Sequence, residues 1–383
     1  MRVNKICLND RQCLLFFVLI IFVLTFVSCT SPKPPNKEII KGENLLGKTL
    51  FYQADMSEIT YITQGQLDKH PGLDIGICSS DAMHIIDSDN GSLKSKVKFE
   101  WDGDGVGRPD VIFGNKDGDF NIVVLDLVGD IGIMDRNGNP LCMFRPELGD
   151  MVNNITAGDL DKNGELEFYV ATYDGLYQLN ASGKKVWKKG NDVYYVNIFD
   201  PGRNETPLVV TEKPHSIFPG IINYLQFRNY KGELIREIKT RIKVMGIEFV
   251  QWPQDWHIVT RNNNFYVLDL EGNIFLKDEI GFAIFDHRAT TVRFFEDQSP
   301  YLAVVGRLRA RYHRSILCIY SPDGKVFYKE IIGGTTFLLA KKSPQSKCET
   351  LLVGDGPGRV YEYKPRIKSG KLSVNEDKNT QTD

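Results

Sequence analysis

The chain has 383 residues, a formal net charge of −2, 25% charged residues and 42% apolar ones. This length is enough for a large core and admits two domains. The near-neutral balance has no basic stripe, which argues against a nucleic-acid partner, and seven cysteines without a Cys-x-x-Cys pair do not make a disulfide-dense scaffold.

Residues 1–12 carry Arg2, Lys5 and Arg11 against one acid, Asp10. Residues 13–27, CLLFFVLIIFVLTFV, are unbroken by charge, and Ser28 and Cys29 follow. A basic segment, an apolar segment and a small residue before cysteine together resemble a bacterial lipoprotein signal, so 1–28 is expected to be a signal peptide. The resemblance implies lipidation of Cys29. Because Thr30 rather than aspartate follows, it also implies an outer-membrane address, with the folded part on the periplasmic or surface side. Phe26 departs from the family's usual leucine. An uncleaved anchor and ordinary secretion are the alternatives, although the apolar run is short of the about 20 residues a bilayer span needs. Residues 29–44, with three prolines and several charges, read as a flexible tether.

The rest of the chain repeats itself. A short apolar strand is followed by a hairpin strand that ends in a glycine turn. The copies are MHIIDSDNG, IGIMDRNG, LYQLNASG, YLQFRNYKG, FYVLDLEG and LCIYSPDG, with their glycines at 91, 138, 183, 232, 272 and 324. A seventh copy, VYEY at 360–363, lacks the turn. The preceding apolar strands are expected at 73–78, 110–114, 166–171, 207–210, 256–259, 301–305 and 351–354. Seven units of about 45 residues match the size of a four-stranded propeller blade. The expected fold is therefore all-β: one β-propeller of seven four-stranded blades over 45–364, with a polar tail at 365–383. Six or eight blades, and a sandwich of unrelated hairpins, are the competing arrangements. The ring has to close, and TLFYQ at 49–53 is expected to supply the missing edge strand of the last blade.

One unit is richer than the others. GDLDKNGELEFYVATYDGLYQLNASGKKVW, 158–187, opens with Asp159, Asp161, Asn163, Gly164 and Glu167 and runs into a strand. Alternate oxygen-bearing positions on a tightly curled loop can face one hard cation, and calcium takes six to eight oxygens. The pattern Asp-x-Asp-x-Asn-Gly-x-x-Glu resembles the calcium loops of FG-GAP/VCBS repeat propellers. That resemblance implies Ca2+ held by Asp159, Asp161, Asn163, the Glu165 carbonyl and Glu167. A metal-free Asx turn leading into a strand is the plainer reading. A related loop at 101–110 places Asp102, Asp104 and Asp110 at positions 1, 3 and 9, but Val106 replaces an oxygen ligand. The resemblance covers these two blades; the others share only the propeller rhythm.

Two segments are candidate partner surfaces, because tryptophan and arginine often anchor interfaces. One contains Trp252 and Trp256, and the other Arg307, Arg309, Arg311 and Arg314. None of the six histidines has zinc spacing to another, and no Gly-x-Ser-x-Gly occurs. His257 and His287 are the histidines nearest a propeller mouth, and packing roles suit them. Beyond Cys29, the thiols at Cys78, Cys142, Cys318 and Cys348 allow three complete pairings. The expected function is a non-catalytic, calcium-stabilised propeller at the cell envelope that binds a protein or polysaccharide partner. The alternatives are a propeller-based polysaccharide lyase or hydrolase and an assembly factor resembling the BamB group, whose repeats end as Gly183–Trp187 does.

Overall fold

The computed structural model describes residues 42, 44–55, 59–68, 72–79, 81–99, 108–113, 120–125, 131–144, 152–202, 205–214, 223–296, 298–309, 314–335, 337–343, 346–356 and 358–366. All belong to the larger of two compact units, Ile39–Asp383.

Among the described residues, the strands form seven antiparallel four-stranded sheets arranged as a seven-bladed β-propeller. The first strand, β1 (Leu46–Gln53), is set aside for the end of the ring. Blade 1 is β2 (Tyr61–Gly65), β3 (Asp74–Cys78), β4 (Ala82–Asp87) and β5 (Leu93–Lys98). Blade 2 is β6 (Arg108–Phe113), β7 (Phe120–Leu125), β8 (Ile131–Met134) and β9 (Pro140–Phe144). Blade 3 is β10 (Val152–Gly158), β11 (Glu167–Thr172), β12 (Gly175–Leu179) and β13 (Lys185–Lys189). Blade 4 is β14 (Val196–Phe199), β15 (Leu208–Pro214), β16 (Asn223–Arg228) and β17 (Leu234–Thr240). Blade 5 is β18 (Met245–Gln251), β19 (Trp256–Arg261), β20 (Phe265–Asp269) and β21 (Ile274–Asp278). Blade 6 is β22 (Ile284–Val292), β23 (Tyr301–Leu308), β24 (Arg314–Tyr320) and β25 (Val326–Gly333). Blade 7 is β26 (Leu338–Ser343), β27 (Ser346–Gly354) and β28 (Arg359–Pro365), completed by β1.

The repeated glycine turn has a physical cause. In blades 2 to 5 the third strand ends in, or is followed directly by, an Asx residue whose side chain closes the turn. Asp135 Oδ1 accepts the N–H groups of Asn137 and Asn139 at 2.8 and 2.9 Å. Asn180, Asn229 and Asp269 repeat this in blades 3, 4 and 5. Three residues on, the chain turns left-handed, as at Gly138 (φ 84°), and the pairing slips by one residue between Ile133 and Met134. Only glycine takes that conformation freely. It is also needed for space, because a Cβ at Gly138 would strike the carbonyl oxygen of Lys98 on the outer strand of blade 1. The turn thus closes its own hairpin and packs the blade against its neighbour.

The second and third strands carry most of the core. Strands β3, β11 and β12 are buried along their whole length. They lie between the inner and outer strands and are covered by the adjacent blades, so the two-residue alternation of a half-exposed strand is lost. Outer strands β5 and β13 are largely exposed and lysine-rich, which discourages edge pairing with another chain.

The ring closes through both ends of the chain. Strand β1 pairs with β28 from Leu46↔Pro365 to Gln53↔Arg359, so the expected closing strand is present and longer than 49–53. Side chains hold the seam. Lys48 Nζ lies 2.9 Å from Glu330 of blade 6, and the Tyr328 and Tyr363 hydroxyls donate to the same carboxylate at 2.9 and 2.8 Å. Within blade 7 the buried pair Lys341–Glu362 is 2.7 Å apart. Strand β26 of blade 7 touches β2 of blade 1, which continues the ring across the chain ends.

One expected strand is reassigned. Residues 110–114 were expected to be equivalent to 166–171, but β6 is the innermost strand of blade 2, and the second strand is β7. The error follows from composition: both segments are apolar, and only pairing order tells them apart. Cys318 and Cys348 are free thiols.

Candidate functional site

Because the strands of each blade run in simple antiparallel order, the molecule has two chemically different faces. The loops joining first to second and third to fourth strands lie on one face, here called the turn face. The loops joining second to third strands and blade to blade lie on the other, the crossover face.

The acidic loop 159–166 joins β10 to β11 and lies on the turn face, closed at its base by the Gly158↔Glu167 pair. Left-handed conformations at Lys162 (φ 61°) and Gly164 (φ 91°) curl it. Asp159 accepts the N–H groups of Asn163 and Gly164 at 2.9 and 3.0 Å, and Asp161 accepts the Asn163 N–H at 3.1 Å. The curl brings one oxygen each of Asp159, Asp161 and Glu167 within 4.8 Å of one another. Glu167 is buried and accepts the Leu160 N–H at 2.9 Å. Burial raises its pKa to about 7, and the nearby Asp161 and Asp159 charges add to the rise against the lowering hydrogen bond from Leu160. Three carboxylates converge with no lysine or arginine ion pair to any of them among the described residues, a donor set that suits a hard divalent cation.

Asn163 departs from the expected ligand role. Its side-chain oxygen accepts the Glu165 N–H at 2.7 Å, and its amide nitrogen donates to Asp161 at 3.0 Å. It therefore ties the loop together rather than adding a fourth oxygen to the three carboxylates. The second acidic loop is not its equivalent. Asp102 and Asp104 lie outside the described residues, and Asp110 lies in β6, an innermost strand.

The turn face also carries the mouth of the central channel. A cavity of about 1070 Å³ opens there, and its wall includes Gln64, Gln251, Thr290, Arg293, Lys342 and Glu349. The C-terminal ends of innermost strands β2, β18, β22 and β26 form much of it, so the wall is set by the ring itself. Gln64 ties blade 1 to blade 7: its Nε2 donates to the Lys342 carbonyl and its Oε1 accepts the Lys342 N–H, both at 2.9 Å. The Glu349 carboxylate accepts the Arg293 N–H at 2.8 Å. No sequence pattern marked these residues, because they come from four blades and share no motif.

The two expected partner segments lie on opposite faces. The 252–255 loop joins first to second strand of blade 5 and lies on the turn face. Of the arginine segment, Arg309 follows the second strand of blade 6 and Arg314 opens the third, both at the crossover face. Trp252 is corrected as a contact residue: it is 0% exposed, packed in the core shared by blades 5 and 6. Trp256 is half-buried against Phe199, with ring centroids 5.3 Å apart. The exposed aromatic of this region is instead Phe275, 52% exposed and seated against Trp252 and His257. It was missed because it lies on an outer strand far from the tryptophans in sequence. Arg309 and Arg314 are exposed, Arg307 is half-buried, and Arg311 lies outside the described residues, as does Cys29.

His257 and His287 are packing residues. His257 is buried with Nδ1 3.1 Å from the Asp255 carbonyl. His287 is buried with Nε2 donating to the Val259 carbonyl at 3.1 Å. Burial, together with the neighbouring Arg261 charge, lowers the His287 pKa to about 4.

No family model matches the sequence, and no curated protein matches it. Solved structures share its architecture. BBS1N in complex with ARL6DN, from a mercury-soaked crystal, aligns with TM-score 0.54 and 12% identity over 86% of this chain and 98% of that one. A lead-soaked crystal of the same complex gives TM-score 0.54 and 13% identity over 83% and 98%. BamB from Moraxella catarrhalis aligns with TM-score 0.43 and 13% identity over 86% and 95%. The likeness to BBS1N is one of fold: the chain is a β-propeller distantly similar to it.

Proposed function

We propose that this chain is a non-catalytic binding propeller, tethered at the cell envelope through Cys29, whose turn face receives a protein partner while a calcium ion stiffens the 159–167 loop. The carrying observation is the composition of the channel mouth. Its described wall is built of amides, hydroxyls, prolines, three aliphatic residues and two cations, with Glu349 as its one carboxylate. Hydrolysis of a glycosidic bond ordinarily uses a pair of carboxylates, so this wall suits binding better than that chemistry. A protein partner has precedent in the fold, since BBS1N was crystallised in complex with ARL6DN. In this reading Asp159, Asp161 and Glu167 hold the ion, which stiffens the blade 3 loop on the turn face and performs no reaction.

The experiment is photo-cross-linking of the full chain in intact cells, with the cross-linker placed at Gln254, followed by mass spectrometry. One enriched protein at Gln254, absent when the cross-linker is moved to Arg309 on the opposite face, supports the reading. Equal recovery from both faces, or recovery of carbohydrate alone, refutes it.

A further inference from the structure

The channel mouth carries a charge pattern that narrows the partner's chemistry. Arg293 follows β22 directly, Lys342 lies on β26, and both are exposed on the cavity wall. Neither makes an ion pair among the described residues. The acid on this wall, Glu349, is engaged by the main-chain N–H of Arg293, and the nearby Glu296 pairs with Lys347 at 3.2 Å. Two cations therefore face the cavity uncommitted. The Lys342 main chain is held on both sides by Gln64, so its side chain starts from a fixed base and less order has to be imposed on binding.

The remaining wall favours a peptide over a sugar. Gln254, Thr290 and Thr291 offer amide and hydroxyl groups that match main-chain N–H and C=O groups, and Leu73, Leu339 and Pro300 supply small apolar contacts. Among the described residues no tryptophan, tyrosine or phenylalanine lines the cavity, so these residues give a pyranose ring no aromatic face on which to stack. A volume of about 1070 Å³ lies at the upper end for small-molecule pockets, and it opens on the channel axis, where a chain can enter end-on.

We infer that the mouth between blades 5, 6, 7 and 1 is a docking site for an acidic, extended segment of a partner protein, with carboxylates of that segment on Arg293 and Lys342. This rests on the partner-binding reading and adds its location and chemistry. Charge-assisted hydrogen bonds from both cations supply the selectivity, and salt screens them because the site is open.

The test is fluorescence anisotropy of a fluorescein-labelled Glu-Ser repeat peptide with the purified full chain. Binding is expected to weaken roughly tenfold or more in R293Q/K342Q and to persist in the charge-keeping R293K/K342R variant and in R309Q on the opposite face. Thermal melts matching the parent separate lost contact from lost fold. Equal binding by parent and R293Q/K342Q overturns the inference. So does an absence of peptide binding, whether or not heparin fragments bind in its place. A partner still captured in cells by R293Q/K342Q overturns this site and leaves the proposed function standing.

Discussion

Two regions of this propeller gather carboxylates, and they treat them in opposite ways. At the closing seam each buried acid meets a cation from the same chain. Glu362, 5% exposed, receives Lys341, Lys364 and Thr350, each at 2.7 Å. Burial alone would raise its pKa, but these hydrogen bonds outweigh burial and hold it below the ordinary carboxylate range. In the blade 3 loop, Asp159, Asp161 and Glu167 face one another, and Glu167 is pushed up to about 7. The seam is electrostatically complete, whereas the loop is balanced only by a proton or a cation from outside. A buried ion pair is weak evidence of net stability, but removing one partner is strongly destabilising. An unmatched acidic cluster instead makes stability depend on what is dissolved around it.

The largest effect is expected from removing the closing strand. Truncation through Gln53 strips β28 of its outer partner and exposes a long edge, and it deletes Lys48 from Glu330. We expect loss of a cooperative melt, or a fall in Tm of more than about 15 °C. An unchanged melt would show that the ring holds without β1.

Next comes Lys341→Met, which leaves Glu362 buried with fewer cations. Chemical denaturation should show a loss of about 3 kcal/mol. The pH dependence has a fixed sign. Because the folded pKa of Glu362 is lowered, its contribution is present above the ordinary carboxylate value and is lost as pH falls through the lowered one. Glu362→Gln should therefore reduce the acid sensitivity of the melt, and an unaltered acid limb would refute the role given to this carboxylate.

The loop should answer to calcium. Saturation at about a hundred times Kd adds close to 2.7 kcal/mol if the ion binds only the folded chain. The D159A/D161A variant should show no calcium-dependent rise in Tm; a rise equal to the parent's would remove the loop as the site. In cation-free buffer the sign is the reverse of the seam's. Glu167 has a raised folded pKa, so its contribution is full below the ordinary carboxylate value and is lost as pH rises through about 7. Glu167→Gln should flatten that decline.

The smallest effect is expected at Lys188–Asp174, an exposed pair 2.6 Å apart on the surface of blade 3. Lys188→Ala should leave Tm within error, because solvent screens such pairs. A clear loss would mean that surface charge counts for more here than the contrast between seam and loop implies.

The repeat was legible because its signal is local. An Asx residue three positions before a glycine at the end of an apolar strand is a turn wherever it stands, and four such turns, with variants at Asp87–Gly91 and Ser321–Gly324, imply blades at a regular spacing. The acidic loop was legible for the same reason, since Asp159 and Glu167 are close in sequence. The innermost strands were less visible: β10 is half-buried along its length and has no strong apolar pattern. Asp110 and Glu167 looked alike in spacing but fall in a first strand and a second strand, because spacing does not reveal a strand's place in its blade. Trp252 failed as a surface anchor because a tryptophan beside a proline reads alike whether it faces solvent or the next blade.

The sequence alone determined the all-β class, the blade period, the turn chemistry and the need for an N-terminal strand to complete the ring, because each depends on neighbours within a few residues or on simple counting. Only the tertiary structure decided which residues meet across blades. It placed Lys48 on Glu330, put Gln64 on the Lys342 main chain, buried Trp252, and brought Arg293 and Lys342 to one channel mouth. Those contacts arise from closing seven sheets around an axis. That geometric condition joins residues as far apart as β2 and β26, and no local pattern encodes it.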